Sequence, residues 1–575
     1  MFIIPMPQKI TEKEKKIKLS SFCVKADNSS VMKFAEYFNQ NGDFCISFKK
    51  CESGRHEYYT LCCEESGINI TYSDIEGAYR ACTTLKQIIA QSDGGFISSV
   101  EIEDYPDIAR RGYMLDVSRG KIPNIEYLKS LADILADLKY NEFQLYMESF
   151  VYEYKNFPEY TKDTQPLTRN EIKELSKYCR EHFITLVPNQ NSFGHMASWT
   201  AKSELSHLAI TGKDGKPSAT LNPFKSECIE LMDKIYDGFF DAFDSDYVHI
   251  GMDEPFELGM NETKKECEKQ GTGKVYTDYL NKICRLVSEK YNKTPMFWDD
   301  IVFAHTEQLE NIPQNAIVMQ WGYENEHHFE RNCRRLHEKG LKFYVCPGTS
   351  MWGSFTGRTN NALVNITSAA ECGAYYGAEG FLLTEWGDNG HPQFPAITYF
   401  PLVLGGGVSW NSTDYNNEMS YLKRQTLIDY CKKYIDKYLY FNKSEKSLAD
   451  IAYRAGNYYL LEDTLIFNGT ELNHYIFNYP KINMAKKEGF KRVISYMNGI
   501  LKELECVEAD EIAIREIKCS CEIVLLIAKL LTYEKCENKD SLFAEYEALW
   551  KMKNHTAGMH DFEKCLKKNL GDMFK

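Results

Sequence analysis

No stretch of this chain stays apolar for long. The best candidate, Ile523 to Ala528, is six residues held between Glu522 and Lys529, whereas a bilayer span needs about 20. Residues Met1 to Lys9 show no basic region followed by a long apolar one, so no secretory signal is expected and the reading is cytoplasmic. A disulfide framework is missing as well. The 19 cysteines have no regular spacing, with Cys62 and Cys63 adjacent and Cys519 and Cys521 separated only by Ser520. They read as reduced thiols, and without C-x-x-C pairs no zinc cluster is indicated. Positive charge is in the minority, with 68 Lys and Arg against 82 Asp and Glu. A net charge of −14 and a pI near 5.6 argue against a nucleic-acid or anionic-membrane partner.

At 575 residues the chain exceeds what one hydrophobic core usually supports, so two or three domains are expected. Its 43% hydrophobic and 26% charged residues are those of a soluble globular protein. Residues 1–103 read as a small α+β domain. In it, Tyr58 to Cys63 and Gly67 to Tyr72 form two strands across a Gly-containing turn, with a helix over Glu76 to Gln91. Over 104–415 the pattern becomes strand, then helix, repeated. Strands are expected at Arg111–Val117, Asn141–Met147, Phe183–Gln190, Tyr247–Gly251, Pro295–Asp299, Ala316–Trp321, Lys342–Cys346 and Gly380–Trp386. Helices are expected between them, including Asn124–Leu138, Thr168–His182, Phe224–Phe243, Lys264–Tyr291, Asn325–Lys339 and Asn361–Tyr376, with Pro395–Leu404 closing the series. Eight such units predict a (β/α)8 TIM barrel. From 416 to 575 the strand pattern is lost and no proline follows Pro480. Lys481–Leu504, Ala509–Tyr533 and Leu542–Lys553 carry apolar residues at helical spacing, which predicts an α-helical C-terminal domain.

Polar and aromatic residues gather just after the strands. They include Asp116 and Arg119; Glu148; Asn189, Asn191 and His195; Asp253 and Glu254; Trp298, Asp299 and Asp300; Gln320 and Trp321; Trp352; and Glu385, Trp386 and Asp388. Each alone has an ordinary structural explanation as surface charge or core ring. Eight strand ends bearing them together point to the face on which barrels build their sites. Within this set Val248-His249-Ile250-Gly251-Met252-Asp253-Glu254-Pro255 places two carboxylates side by side. Such a pair can hold one acid protonated while the other stays charged, which acid/base catalysis needs. In isolation an Asp-Glu pair is more often a solvated loop feature.

Several motifs resemble glycoside hydrolase family 20, the β-N-acetylhexosaminidases. Arg111-Gly112-Tyr113-Met114-Leu115-Asp116-Val117-Ser118-Arg119 is similar to the family's first-strand signature. Lys139-Tyr140-Asn141 leading to Leu145-Tyr146-Met147-Glu148 is similar to its second strand. Phe193-Gly194-His195 resembles a Pro-Gly-His loop with Phe in place of Pro. His249 to Glu254 matches the His-x-Gly-x-Asp-Glu motif, and Trp386-Gly387-Asp388 follows strand eight. The resemblance covers the whole barrel, and the region from Gly77 to Gln91 is similar to the small domain preceding it in the family.

The resemblance implies an exo-acting, retaining enzyme that releases terminal GlcNAc or GalNAc from small glycans without cofactor or metal. The nucleophile would be the substrate's own 2-acetamido oxygen. It implies Glu254 as general acid/base, and Asp253 as the group that holds the acetamido N–H and stabilises an oxazolinium. Arg119 would grip the outer hydroxyls as a planar fork, with Asp388 beside it. Trp298, Trp321, Trp352 and Trp386 would wall the acetamido pocket. His195 and Glu148 would complete the polar network, Glu148 standing where relatives commonly carry Asp. The tyrosine that contacts the acetamido oxygen has no clear position, with Tyr323 one candidate. Two other readings stand beside this one: a non-catalytic glycan-binding barrel, and a metal-dependent hydrolase using His195, His249, Asp253 and Glu254. Sugar preference, linkage and oligomeric state are not legible.

Overall fold

The computed structural model describes residues 1–162, 164–412, 418–478, 488–536 and 538–571. Eight parallel strands close into a barrel: Arg110–Asp116, Glu142–Met147, Thr185–Gln190, Tyr247–His249, Thr294–Trp298, Ile317–Trp321, Phe343–Cys346 and Gly380–Glu385. The last strand pairs with the first, Leu382 facing Gly112. All eight fall where the sequence pattern puts them, and the fourth is shorter because Gly251 turns the chain at a φ of +68°. The barrel interior is filled, its core including Met114, Tyr146, Val187, Met296, Met319, Tyr344 and Leu382. It is therefore a packed core whose upper end carries the site residues.

The helices outside the barrel begin where side chains can cap them. Asn124 accepts from the Tyr127 N–H, and Thr168 forms a reciprocal capping box with Glu171. Two predicted helices are shorter or broken. The expected Phe224–Phe243 helix is regular only over Glu227–Tyr236. The expected Lys264–Tyr291 helix is interrupted at Gly271, whose φ of +90° separates Asn261–Gln270 from Thr272–Arg285. In the first case apolar residues continue past the turn, at Phe239, Phe240 and Phe243, so periodicity alone does not reveal it.

Before the barrel lies a six-stranded mixed sheet, with two helices, Ser29–Ala35 and Ile75–Ala90. Its strand order is Lys9–Lys18, Phe96–Asp104, Tyr59–Glu64, Gly67–Tyr72, Phe44–Lys50, Phe22–Ala26. The two strands expected there are its centre. Buried charges tie this sheet to the barrel: Glu57 accepts from Arg80 Nε at 2.7 Å and from Arg111 Nη2 at 2.7 Å, and Lys139 Nζ lies 2.8 Å from Asp104.

After the barrel the described residues contain only helical elements and their connections, including Glu418–Tyr434, Leu448–Ala455, Glu471–Asn478, Glu488–Leu504, Glu511–Thr532, Lys539–Lys553 and Asp561–Leu570. Their apolar faces belong to the same core cluster as the barrel's outer helices. The expected 415/416 boundary and residues 481–487 of the expected Lys481–Leu504 helix lie outside the described residues. No helix among the described residues is long and apolar enough to cross a membrane.

Candidate active site

The turn after the fourth barrel strand is held in an unusual backbone shape. Gly251, Met252 and Glu254 have φ of +68°, +78° and +49°, conformations that cost a non-glycine residue about 1 kcal/mol or more and persist only where neighbours enforce them. Three contacts do so. Trp298 N–H donates to the Gly251 carbonyl at 3.0 Å. Glu254 N–H donates to Asp300 Oδ2 at 3.0 Å. The His195 loop passes so closely that a Cβ on Gly194 would sit 2.1 Å from the Asp253 carbonyl oxygen. Strands three, four and five thus converge on the Asp-Glu pair.

The two acids differ in setting. Asp253 is buried, its side chain 9% exposed, while Glu254 is 37% exposed. His195 Nε2 lies 3.2 Å from Asp253 Oδ2 and 3.2 Å from Glu254 Oε2, and its Nδ1 lies 3.4 Å from Glu148 Oε2. Burial opposes a charged imidazole, yet Asp253 together with Glu148 and Glu254 pushes His195 up to about 12. Glu148 responds in the opposite direction. Against its burial, His195, Arg119 and the Tyr146 hydroxyl bring it down to about 2. Asp253 Oδ1 is buried and has no hydrogen-bond partner, an acceptor aligned for nothing in the protein.

Arg119 stands at the other side of the site, enclosed by carboxylates. Its Nη1 donates to Asp388 Oδ1 at 2.7 Å and to Asp116 Oδ2 at 3.2 Å, and its Nη2 to Glu148 Oε2 at 3.1 Å. Asp116 is fixed in turn by N–H groups of Ser118 and Gly387. Burial raises the Asp388 and Asp116 carboxyls while Arg119 draws both back.

Between Arg119 and the acid pair lies a cavity of about 100 Å³, lined by Arg119, His195, Asp253, Glu254, four tryptophans, Tyr323, Asp388 and Asn468. The tryptophans are Trp298, Trp321, Trp352 and Trp386. Trp321 stacks on Tyr323 with centroids 5.1 Å apart, Trp352 meets Tyr323 edge-on at 5.0 Å, and Trp386 Nε1 donates to the Tyr323 hydroxyl at 2.8 Å. The indole N–H groups of Trp298 and Trp321 are buried without partners. The wall combines aromatic rings with the charged groups of Arg119, Asp253, Glu254 and Asp388, which suits a ligand with both a hydrocarbon face and polar groups.

Nine of the ten residues singled out from the sequence line this cavity. Glu148 does not; it sits behind, joining Arg119 to His195. Tyr323, one candidate for the acetamido tyrosine, lies on the cavity wall beside Trp321, Trp352 and Trp386. Two further residues have no role in the resemblance: Asp300, from the strand-end set, and Asn468, which carries no linear signal. Asp300 holds the Glu254 peptide, and burial with Asp253 nearby raises it to about 7. Asn468 arrives from a loop more than 80 residues beyond the last barrel strand. A larger opening of about 670 Å³ lies between C-terminal helices, and the Arg515–Glu545 and Lys518–Glu522 pairs on its lining satisfy one another.

His249 does not join Asp253 as a metal ligand would. Its Nδ1 accepts from the Gly251 N–H at 3.0 Å, its ring packs 4.2 Å from Trp298, and burial lowers it to about 3. Among the described residues, groups close enough to share an ion are His56–Glu57–Glu76 and Cys62–Glu64–Glu101, both in the N-terminal sheet region.

The model described as glycosyl hydrolase family 20, catalytic domain, matches residues 109–376, and the family's domain 2 model matches residues 29–105. The chain belongs to glycoside hydrolase family 20. This family 20 chain is 26% identical over 298 residues to the beta-hexosaminidase subunit beta of Entamoeba histolytica, covering 47% of its own length and 52% of that protein. To the beta-hexosaminidase subunit alpha of Bos taurus it is 28% identical over 289 residues, covering 47% and 53%. The chain thus spans about half the length of the curated relatives it matches. In fold it is similar to a Flavobacterium johnsoniae chitobiase, with a TM-score of 0.61 and 18% identity over 99% of each chain. It is also similar to a Vibrio harveyi family 20 exo-β-N-acetylglucosaminidase solved with N-acetylglucosamine, with a TM-score of 0.57, 18% identity, and 74% and 77% coverage.

Proposed function

We propose that the protein is an exo-acting, retaining β-N-acetylhexosaminidase using substrate-assisted catalysis. The observation that carries this reading is the pairing of a buried Asp253 with a far more exposed Glu254, both on the wall of a cavity lined by four tryptophans. Ordinary retaining glycosidases set two carboxyls about 5–5.5 Å apart across the sugar, one serving as nucleophile. Neighbouring residues on one strand end do not flank a ring in that way. An acid that accepts an amide N–H beside one that delivers a proton fits a substrate carrying its own nucleophile.

In this reading Glu254 protonates the glycosidic oxygen while the 2-acetamido carbonyl oxygen attacks the anomeric carbon. The C–O bond to the leaving group breaks and an oxazolinium ring forms. The Asp253 carboxylate accepts the acetamido N–H and faces the positive charge that develops on the ring. The Tyr323 hydroxyl, which accepts from Trp386 Nε1, donates a hydrogen bond to the acetamido oxygen and keeps its proton. Glu254 then takes a proton from water, which opens the ring with overall retention. Arg119 and Asp388 hold the outer hydroxyls, and the charged His195 fixes both acids. The cavity, about 100 Å³, is well below the roughly 300–1,000 Å³ of pockets for larger ligands, which supports release of one terminal sugar at a time. The exposed Glu254 beside Asp253 disfavours the non-catalytic alternative, since glycan binding alone needs no general acid.

The test compares chromogenic β-glycosides of GlcNAc, GalNAc and glucose in wild type, Asp253→Asn and Glu254→Gln. The N-acetyl substrates should turn over and the glucoside should not. Asp253→Asn should lose about 10²- to 10⁴-fold in kcat while retaining the fold by circular dichroism. Glu254→Gln should lose most on poor leaving groups. Equal turnover of the glucoside, or normal activity in Asp253→Asn, would remove the mechanism.

A further inference from the structure

The cavity takes one sugar, so the remainder of a substrate must lie across its mouth. One part of that mouth comes from outside the barrel. Asn468 belongs to the loop between Leu461 and Glu471 and lines the cavity with residues of the barrel loops. Both family models end before it, at residues 105 and 376, so the family match assigns this loop nothing.

The loop is firmly anchored. Asn468 N–H donates to Glu324 Oε1 at 2.7 Å, and Glu324 is itself paired to the buried Arg358 at 3.0 Å. Asn468 Oδ1 accepts from Trp352 Nε1 at 2.9 Å, and Thr470 N–H donates to the Gly353 carbonyl at 2.8 Å. Gly353 is needed for this approach, since a Cβ there would lie 2.5 Å from the Asn468 carbonyl oxygen. Yet this fixed loop presents Phe467 at 84% and Leu465 at 73% exposure. Apolar side chains this exposed on a pinned loop bring no folding stability of their own. They are ordered in advance for contact with something outside the protein.

We propose that this loop forms the subsite for the leaving-group sugar, with Phe467 stacking on the C–H face of the second pyranose and Asn468 Nδ2 donating to one of its hydroxyls. The inference rests on the glycosidase reading of the adjacent cavity. Aromatic rings suit this task because a pyranose offers an apolar face of matching size. The preferred substrate is then an N-acetylhexosaminyl disaccharide or longer glycan, rather than a glycoside with a small leaving group.

The experiment measures kcat/KM for a β-linked GlcNAc disaccharide and for methyl β-GlcNAc, two substrates with alkoxide leaving groups of different size. Phe467→Ala should lower the disaccharide-to-methyl ratio roughly five- to tenfold, and Phe467→Trp should retain or raise it. Because Phe467 is so exposed, neither substitution should disturb folding, and inhibition by free GlcNAc, which occupies the cavity alone, should not change. A ratio unaltered in Phe467→Ala, or a fall shared equally by both substrates, overturns the subsite. Failure of wild type to hydrolyse either substrate would instead overturn the glycosidase reading.

Discussion

The charge state of His195 decides how the two acids are held. Its pKa is raised to about 12 from an ordinary value near 6.5, chiefly by Asp253 acting against burial. A raised folded-state pKa adds stability that is fully present below about 6.5 and is lost as pH climbs toward about 12. Glu148 is lowered to about 2, so its contribution is complete above its unfolded value and disappears as pH falls through the folded one. The ion pair should therefore be intact throughout the neutral range. We expect nitrogen NMR of the ring to show His195 doubly protonated from pH 6 to pH 9, with its titration moved downward in Glu148→Gln. A neutral ring at pH 8 in wild type would contradict this network. The alkaline fall of activity should accordingly not follow an ordinary histidine titration.

At the scale of elements, the site depends on close passage of loops rather than on any one strand. The Phe193-Gly194-His195 loop follows strand three and presses on the turn after strand four, with no space for a side chain at position 194. Gly194→Ala must move one of the two apart, and near-attack geometry is sensitive to shifts of about 1 Å. Its kcat should drop about 100-fold with a KM change of less than threefold and a retained fold, as read by steady-state kinetics alongside circular dichroism. An unchanged kcat would show that the two loops relax independently. The same scale explains where the helix predictions were too long. Gly271 lies between a charged segment, Lys264 to Gln270, and an amphipathic one, Thr272 to Arg285, and its φ of +90° makes the break.

For the whole molecule, the sheet, the barrel and the C-terminal helices are joined through buried contacts rather than linkers. Glu57 is fully buried between Arg80 and Arg111, and against its burial these two cations keep its carboxyl below the ordinary range. Glu57→Gln would leave both cations with one neutral acceptor in a dry site. Removing one member of such a buried cluster costs about 3–5 kcal/mol. Urea unfolding should show a midpoint lowered to match, and a change under 1 kcal/mol would mean the sheet docks without this pair. The C-terminal helices are joined as closely, because their apolar faces complete the cluster over the barrel's outer helices.

Much of this could be read from the chain alone because its signals are local. Strand-helix alternation gives the barrel, since the period of apolar residues follows which face is buried. Residues placed just beyond strands point to one rim, because parallel strands end together on the same side. Arg119, His195, Asp253, Glu254 and the four tryptophans are legible for that reason. Tertiary structure alone decided the rest. Glu148 sits behind His195 instead of lining the cavity, Tyr323 accepts from Trp386 on the cavity wall, Asp300 accepts from the Glu254 peptide N–H, and Asn468 crosses from a distant loop to the site. Each of these depends on which segments, remote in sequence, come within hydrogen-bond reach. That is settled by packing of the complete chain, and no periodicity or motif records it.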